Sequence, residues 1–338
     1  MIGKNSPRVH HQAMKIWNET AWVYGELAQR LARGETAAVA TLIRLEGSSY
    51  RRPGAKLLIA QDGSLVGNVS GGCLEEDLRE RGRRAQRSGQ PERVHYDTGS
   101  DENVVWGLGL GCDGRLDLWL QPFRPGDQAE VVAALLERLR GREPFFLKLS
   151  MPDGRLELPA TDDASGEVFV ERLEPPADLV VVGAGEDARP VVRLAAEAGF
   201  RVTVVDHRSA FLTPERFPAA QRLVAARPEK GLGDLPAHGQ TLVIQMTHAV
   251  ALDRAWARLW ADTAVPYIGL LGPQARRADI TRHLPPEALA RVYGPVGLDV
   301  GAEGAEQIAL SILAEALAVR AGRSGGHLRA RTASLHAD

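Results

Sequence analysis

An apolar run, Asp178-Leu179-Val180-Val181-Val182, leads directly into Gly183-Ala184-Gly185-Glu186-Asp187-Ala188. A strand passing straight into G-x-G-x-x-A and then a helix is the opening of a βαβ unit. Gly199 closes the predicted helix, a second strand covers Arg201–Val205, and Asp206 stands 23 residues after Gly183. Dinucleotide folds place a ribose-binding carboxylate at about that distance. This pattern commits the second half of the chain to a parallel sheet with helices on both faces. Gly183 is read as the tight turn and Gly185 as the point that admits a pyrophosphate. Ala188 is the helix–strand contact, and the helix N-terminus faces the phosphates. The same glycines can serve packing alone, so the pattern speaks for a fold before it speaks for a ligand. Glu186 and Asp187 add negative charge where phosphates would approach.

Further α/β units follow. Thr241–Met246 reads as a buried strand ending in Thr247-His248, and Pro266–Leu271 as another ending at Gly272. Ligands in such sheets bind beyond the carboxyl ends of the strands, which puts His248 in the right region for chemistry. A histidine that merely caps a loop by hydrogen bonds is the alternative. The last helix, about Ala305 to Arg320, carries Ile308, Ile312, Ala316 and Val319 on one face. That stripe is core or the surface of a homodimer.

The first half reads differently. A helix over Met14–Arg33 precedes strands at Ala37–Leu45, Ala55–Ala60, Ser64–Asn68, Arg93–Tyr96 and Arg115–Gln121. In the last of these Leu116, Leu118 and Leu120 share a face. Helices are predicted near Leu74–Arg87 and Ala129–Arg140. The expected class is α/β, an N-terminal α+β domain followed by a Rossmann-like doubly wound parallel sheet domain. The limits are 14–124 for the first domain and 177–322 for the second. A connecting helix, hairpin and linker fill 125–176, ending in Glu174-Pro175-Pro176, where tandem prolines resist helix and central strand alike. Residues 323–338 read as a flexible tail.

Charge and cysteine content narrow the function. With 41 basic and 43 acidic residues the net charge is -2, which argues against nucleic acid as a partner. Arg79, Arg81, Arg83, Arg84 and Arg87 crowd one stretch and read as a solvated helix face. No apolar run reaches the length of a membrane span, and residues 1–12, with His10-His11, lack the apolar segment of a secretory signal. Two cysteines make no disulfide framework, so a reducing cytoplasm is the expected location.

One of the two is Cys73, in Val69-Ser70-Gly71-Gly72-Cys73-Leu74-Glu75. Gly71 and Gly72 let the backbone adopt positive φ and approach a ligand closely. The helix behind them favours the thiolate, and a thiolate is a soft metal ligand. The alternative is a small buried cysteine at a packed turn. The other cysteine, Cys112, lies in a loop punctuated by Gly107, Gly109, Gly111 and Gly114.

Taken together these motifs resemble the XdhC/CoxI family, the accessory proteins of xanthine dehydrogenase and related molybdenum hydroxylases. In the first half the resemblance rests on Glu46-Gly-Ser-Ser-Tyr-Arg-Arg-Pro-Gly-Ala-Lys56, on Val69–Glu75 and on Gly109-Leu-Gly-Cys-Asp-Gly114. In the second it rests on Val182-Gly-Ala-Gly185, Thr247-His248, Tyr267–Gly272, Gly294-Pro-Val-Gly-Leu-Asp-Val-Gly301 and the helix at Glu306–Glu315. The resemblance implies a carrier that binds molybdenum cofactor and protects it while an oxo ligand is exchanged for sulfur. The carrier then delivers the cofactor to a xanthine dehydrogenase-like molybdenum hydroxylase. A cysteine desulfurase is the other implied partner. Cys73 falls at the family's cysteine and is the expected contact to the metal or its sulfur, with Glu75 orienting a ligand. Arg51 and Arg52 fall in the family's basic turn and would pair with the pterin phosphate. Glu186-Asp187 and Gly272-Pro273-Gln274-Ala275-Arg276-Arg277 depart from the family pattern and bear on nucleotide use rather than on fold. The competing reading is an NAD(P)-dependent oxidoreductase, with Gly183 and Gly185 at the cofactor, Asp206 on the ribose and His248 as acid/base. It leaves the Gly-Gly-Cys turn idle.

Overall fold

The computed structural model describes residues 13–47, 51–97, 114–151 and 153–330. Tail residues 331–338, Ser48–Tyr50, Pro152, the loop with Cys112 and the segment with His10-His11 lie outside them. The chain forms two compact units, Met1–Pro175 and Pro176–Asp338. No helix among the described residues is long and apolar enough to cross a membrane.

The first unit opens with α1 (Ala13–Ala32) and continues through β1 (Ala37–Gly47), β2 (Lys56–Ala60), β3 (Leu65–Gly67), α2 (Glu75–Ser88), β4 (Glu92–Asp97) and β5 (Gly114–Phe123). The strands form an antiparallel sheet in the order β3-β2-β1-β5-β4. Alternation along the strands supplies two cores, because successive side chains point to opposite faces. Ala37 and Val39 of β1, with Leu58 of β2 and Trp119 of β5, face Trp17, Val23 and Leu27 of α1. Ala38, Ala40 and Leu42, with Leu57, Ile59, Leu116, Leu118 and Leu120, face Leu74, Leu78 and Ala85 of the α2 segment. Covered on both sides, β2 is buried at every position.

Residues read from the sequence as a connection contribute to the first of these cores. They comprise α3 (Ala129–Arg140), β6 (Phe145–Ser150), β7 (Leu156–Glu157) and β8 (Val168–Leu173), the last three forming a small sheet. Val132, Leu135, Leu139, Phe145, Leu147 and Leu173 share the core with α1. Charge is buried here too. Lys56, 1% exposed, reaches Glu171 of β8 at 2.5 Å and the Gly54 carbonyl at 2.9 Å. Burial is the largest influence on Glu171 and raises its pKa, with Lys56 opposing it. Glu19 of α1 accepts the Lys56 amide at 2.9 Å and pairs with the Arg51 guanidinium.

The second unit carries β9 (Asp178–Val182), α4 (Ala188–Glu197), β10 (Arg201–Asp206), β11 (Arg222–Ala225), β12 (Thr241–Gln245), α5 (Val250–Ala261), β13 (Tyr267–Leu270), α6 (Gln274–Thr281), α7 (Pro286–Leu289), β14 (Val292–Tyr293) and α8 (Gly304–Arg320). All pairs are parallel and the order is β11-β10-β9-β12-β13-β14. This is the doubly wound order with its switch point between β9 and β12. Trp256, Ala257 and Trp260 of α5 cover one face over Val180, Val243 and Ile268. On the other face α4 packs against α8.

Removing one member of a buried ion pair strands the other charge, at a cost of about 3–5 kcal/mol. Lys56→Met is therefore expected to destabilise the first unit by about that amount in urea unfolding. Adding Glu171→Gln to Lys56→Met should restore part of the loss. A double variant no more stable than Lys56→Met contradicts the pairing.

Candidate functional site

Strand pairing brings three connections of the first unit to one end of its sheet. Gly47, at the end of β1, pairs with Gly114 at the start of β5, and Arg115 pairs with Asp97 at the end of β4. Thr41 pairs with Lys56, and Leu57 with Gly67. The segments after β1, after β3 and between β4 and β5 therefore leave the sheet together. These are the three segments that carry the first-half motifs.

The turn after β3 is built on one carboxylate. Gly71 and Gly72 adopt φ of +103° and +121°, a region that costs other residues strain. The chain thereby wraps around Glu75. Its Oε1 accepts the amides of Val69 and Ser70 at 3.3 and 3.2 Å. Its Oε2 accepts those of Gly72 and Leu74 at 3.0 and 3.1 Å, together with the Ser70 hydroxyl. Burial works to raise the Glu75 pKa, but the bonds from Ser70 and the Val69 amide prevail and lower it. Glu75 is thus the brace of the turn.

Cys73 rides on this turn, exposed and free of any disulfide. The alternative of a small buried cysteine is set aside. A side chain at Gly72 would meet nothing within 4 Å, so the backbone beside the thiol is open. The helix behind it starts with Glu75, Glu76 and Asp77, whose charges already answer its positive end. Among the described residues no three His, Cys, Asp or Glu groups gather to hold a metal.

The two arginines of the basic turn differ. Arg51 is buried and committed to Glu19, because a guanidinium without a counter-charge could not be enclosed there. Arg52 is half-exposed and makes no ion pair among the described residues. The arginine run of α2 is a solvated face, with Arg79 on Glu76 and Arg81 on Asp77 and Glu92.

In the second unit the carboxyl ends of the strands gather Gly183, Gly185, Asp206 and His248. Gly183, at φ +118°, allows a backbone contact across the switch point. A Cβ there would collide with the Met246 carbonyl. Asp206 is occupied by the protein itself. It accepts the Ala184 amide at 2.8 Å, the Arg208 amide at 2.8 Å, and the Arg208 guanidinium through both oxygens at 3.0 and 2.9 Å. Burial opposes its ionisation, yet these bonds draw its pKa down to about 2. A ribose at Asp206 would have to displace them.

The glycine turn is covered in a similar way. Asp187 Oδ1 stands 2.6 Å from the place a Cβ of Gly185 would take. Its Oδ2 meets His248 Nε2 at 2.7 Å. His248 is 64% exposed and has φ +59°, unusual for a residue with a side chain. Thr247 and Arg276 both reach Asp253, at 2.7 and 2.5 Å, tying the end of β12 to α5 and α6.

Comparison with known proteins agrees with both halves. The family model described as XdhC and CoxI family matches residues 30–97, and that described as XdhC Rossmann domain matches 179–316. A Bacillus subtilis protein named as a probable xanthine dehydrogenase subunit is 31% identical over 85% of this chain and 94% of its own length. The chain belongs to the XdhC and CoxI family. Another relative, the Escherichia coli molybdenum cofactor insertion chaperone PaoD, is 26% identical over 86% of each chain. A crystal structure described as a xanthine dehydrogenase from Bacillus halodurans superposes with a TM-score of 0.78. It is 28% identical and covers 91% of this chain and 98% of that one. The XdhC Rossmann match spans the parallel sheet, and the first match spans the Gly-Gly-Cys turn.

Two residues of these sites, Glu19 and Arg208, stand outside the motifs. Glu19 lies 32 residues before Arg51, and nothing local marks the pair. Arg208, two residues after Asp206, was legible as a cation beside the ribose position.

Glu75→Ala removes a charged acceptor from four amides. Since bonds to a charged group contribute about 1.5–3 kcal/mol, the expected loss of stability is about 2 kcal/mol. Hydrogen exchange at Gly72 and Leu74 should accelerate while that of the β1 amides stays slow. Unchanged protection at Gly72 contradicts the brace.

Proposed function

We propose that this chain is a carrier for molybdenum cofactor, acting in maturation of a xanthine dehydrogenase-type hydroxylase. The observation that carries the reading is the exposed Cys73 thiol on the Gly71-Gly72 turn, which leaves the sheet at the end where β1 and β4 finish and β5 starts. The cofactor is cargo and supplies the metal and its exchangeable sulfur. This chain's residues hold and release it. The Cys73 thiolate contacts the metal or its sulfur, since a soft donor suits such a centre. Arg52, with no ion pair among the described residues, pairs with the cofactor's phosphate. Arg51 keeps the turn seated on α1 through Glu19, and Glu75 keeps the thiol presented.

One thiol and one surface guanidinium hold a ligand less tightly than a closed cage of several thiolates, which suits transfer. Protection during sulfuration, delivery to the hydroxylase, a cysteine desulfurase as sulfur donor, a homodimeric state and a cytoplasmic location belong to the same proposal. The names of the Bacillus subtilis and Escherichia coli relatives support it. NAD(P) chemistry at Gly183, Gly185, Asp206 and His248 ranks second, because Asp187 and Arg208 stand where the nucleotide would bind.

In cells lacking the protein, hydroxylase activity and its molybdenum content are expected to fall and to return with the wild-type chain. Cys73→Ser should restore less than about a tenth of the activity while the chain stays folded by circular dichroism. A null strain that loads its hydroxylase normally rules out the carrier. Full complementation by Cys73→Ser rules out its thiol.

A further inference from the structure

The two arginines of α6 end differently. Arg276 lies across Gly272, where a Cβ would meet its Cδ at 2.5 Å, and its guanidinium ends on buried Asp253. Arg277 lies in the same manner across Gly294, its Cδ 3.1 Å from the place of a Cβ. Its Nε is enclosed by protein and has no acceptor, and the guanidinium makes no ion pair among the described residues. Buried polar groups are nearly always paired, and an enclosed N–H without a partner forfeits its hydration. Both glycines follow the carboxyl ends of strands, β13 and β14, where ligands of such sheets bind.

Arg216 too has an enclosed Nε without an acceptor, but its guanidinium is ion-paired, and the other charges at this edge are paired as well. Arg208 is spent on Asp206, Arg189 and Arg216 on Glu186, and His248 on Asp187. A phosphate at the glycine turn would meet Glu186, Asp187 and Asp206 together. The first turn of α6 has no acidic residue. Asp299, in the loop after β14, is exposed and keeps its hydration. Arg320 also has an enclosed Nε, and burial lowers its pKa, but it lies in the last turn of α8 and not beyond the carboxyl end of a strand.

We propose that Arg277 receives a phosphate group of a phosphate-ester ligand, so that the anion seat of the Rossmann unit lies at the β13–β14 end and not at the Gly183-Gly185 turn. The guanidinium fork matches two phosphate oxygens, and Gly294 holds its stem in place. The inference goes beyond the carrier reading, which rests on the first unit and is tested in cells.

The test is calorimetric titration of the full chain at low salt with AMP, NAD⁺ and pyrophosphate, with adenosine as the uncharged control. At least one phosphate probe is expected to bind, with AMP at least tenfold tighter than adenosine if a nucleotide is preferred. If pyrophosphate binds best, the seat is still supported. Arg277→Gln should weaken the bound probe at least tenfold and Arg216→Gln less than twofold, with thermal midpoints near wild type. If Arg277→Gln does not fold, Arg277→Lys takes its place, with a smaller but measurable loss. No binding of any phosphate probe, unchanged affinity in the Arg277 variant, or loss of binding in Arg216→Gln instead overturns the proposal.

Discussion

The carboxylate of Glu75 is the contact on which the candidate site of the first unit depends. Four amides and a hydroxyl converge on it, and the two positive-φ glycines exist to let them converge. Replace that anion by an apolar side chain and the turn loses its centre. Cys73 would then have no fixed place, since a thiol on an unbraced Gly-Gly segment samples many positions. The same carboxylate sits in the first turn of α2, where a negative charge is favourable. One residue thus starts the helix, closes the turn and presents the thiol.

A second theme is that this protein fills its own polar positions. Asp206 holds Arg208 and the glycine turn, Asp187 holds His248, and Arg51 holds Glu19. For Asp206 and Arg51 the pairing satisfies a group whose burial would otherwise be costly. A ligand at Asp206, His248 or Arg51 would have to compete with these bonds. Cys73 is exposed, and Arg52 and Arg277 make no ion pair among the described residues.

Much of the fold was legible because it is written in periodicity. Ala37–Leu42, apolar but for Thr41, is buried on both faces because β1 is covered on both faces, and the alternation of Leu116, Leu118 and Leu120 survives intact. The strand–turn–helix run from Asp178 to Ala188 found its parallel sheet. Less of the site could be read. Arg51 and Arg52 are neighbours of the same type, and only Glu19, brought in by the packing of α1, separates their roles. Glu75 was seen as part of the motif, but its amide partners depend on backbone angles that no side-chain pattern encodes. Residues 129–173 look like a connection in sequence, and only their packing on Trp17 and its neighbours makes them core.

The central claim is that the thiol of Cys73 holds a molybdenum centre. It is tested most directly by elemental analysis of the chain purified without oxygen from cells that make the cofactor, beside a Cys73→Ala variant. The account predicts molybdenum with the wild-type protein and its near-complete loss from the variant. Equal molybdenum in both, or none in the wild-type protein, would contradict it.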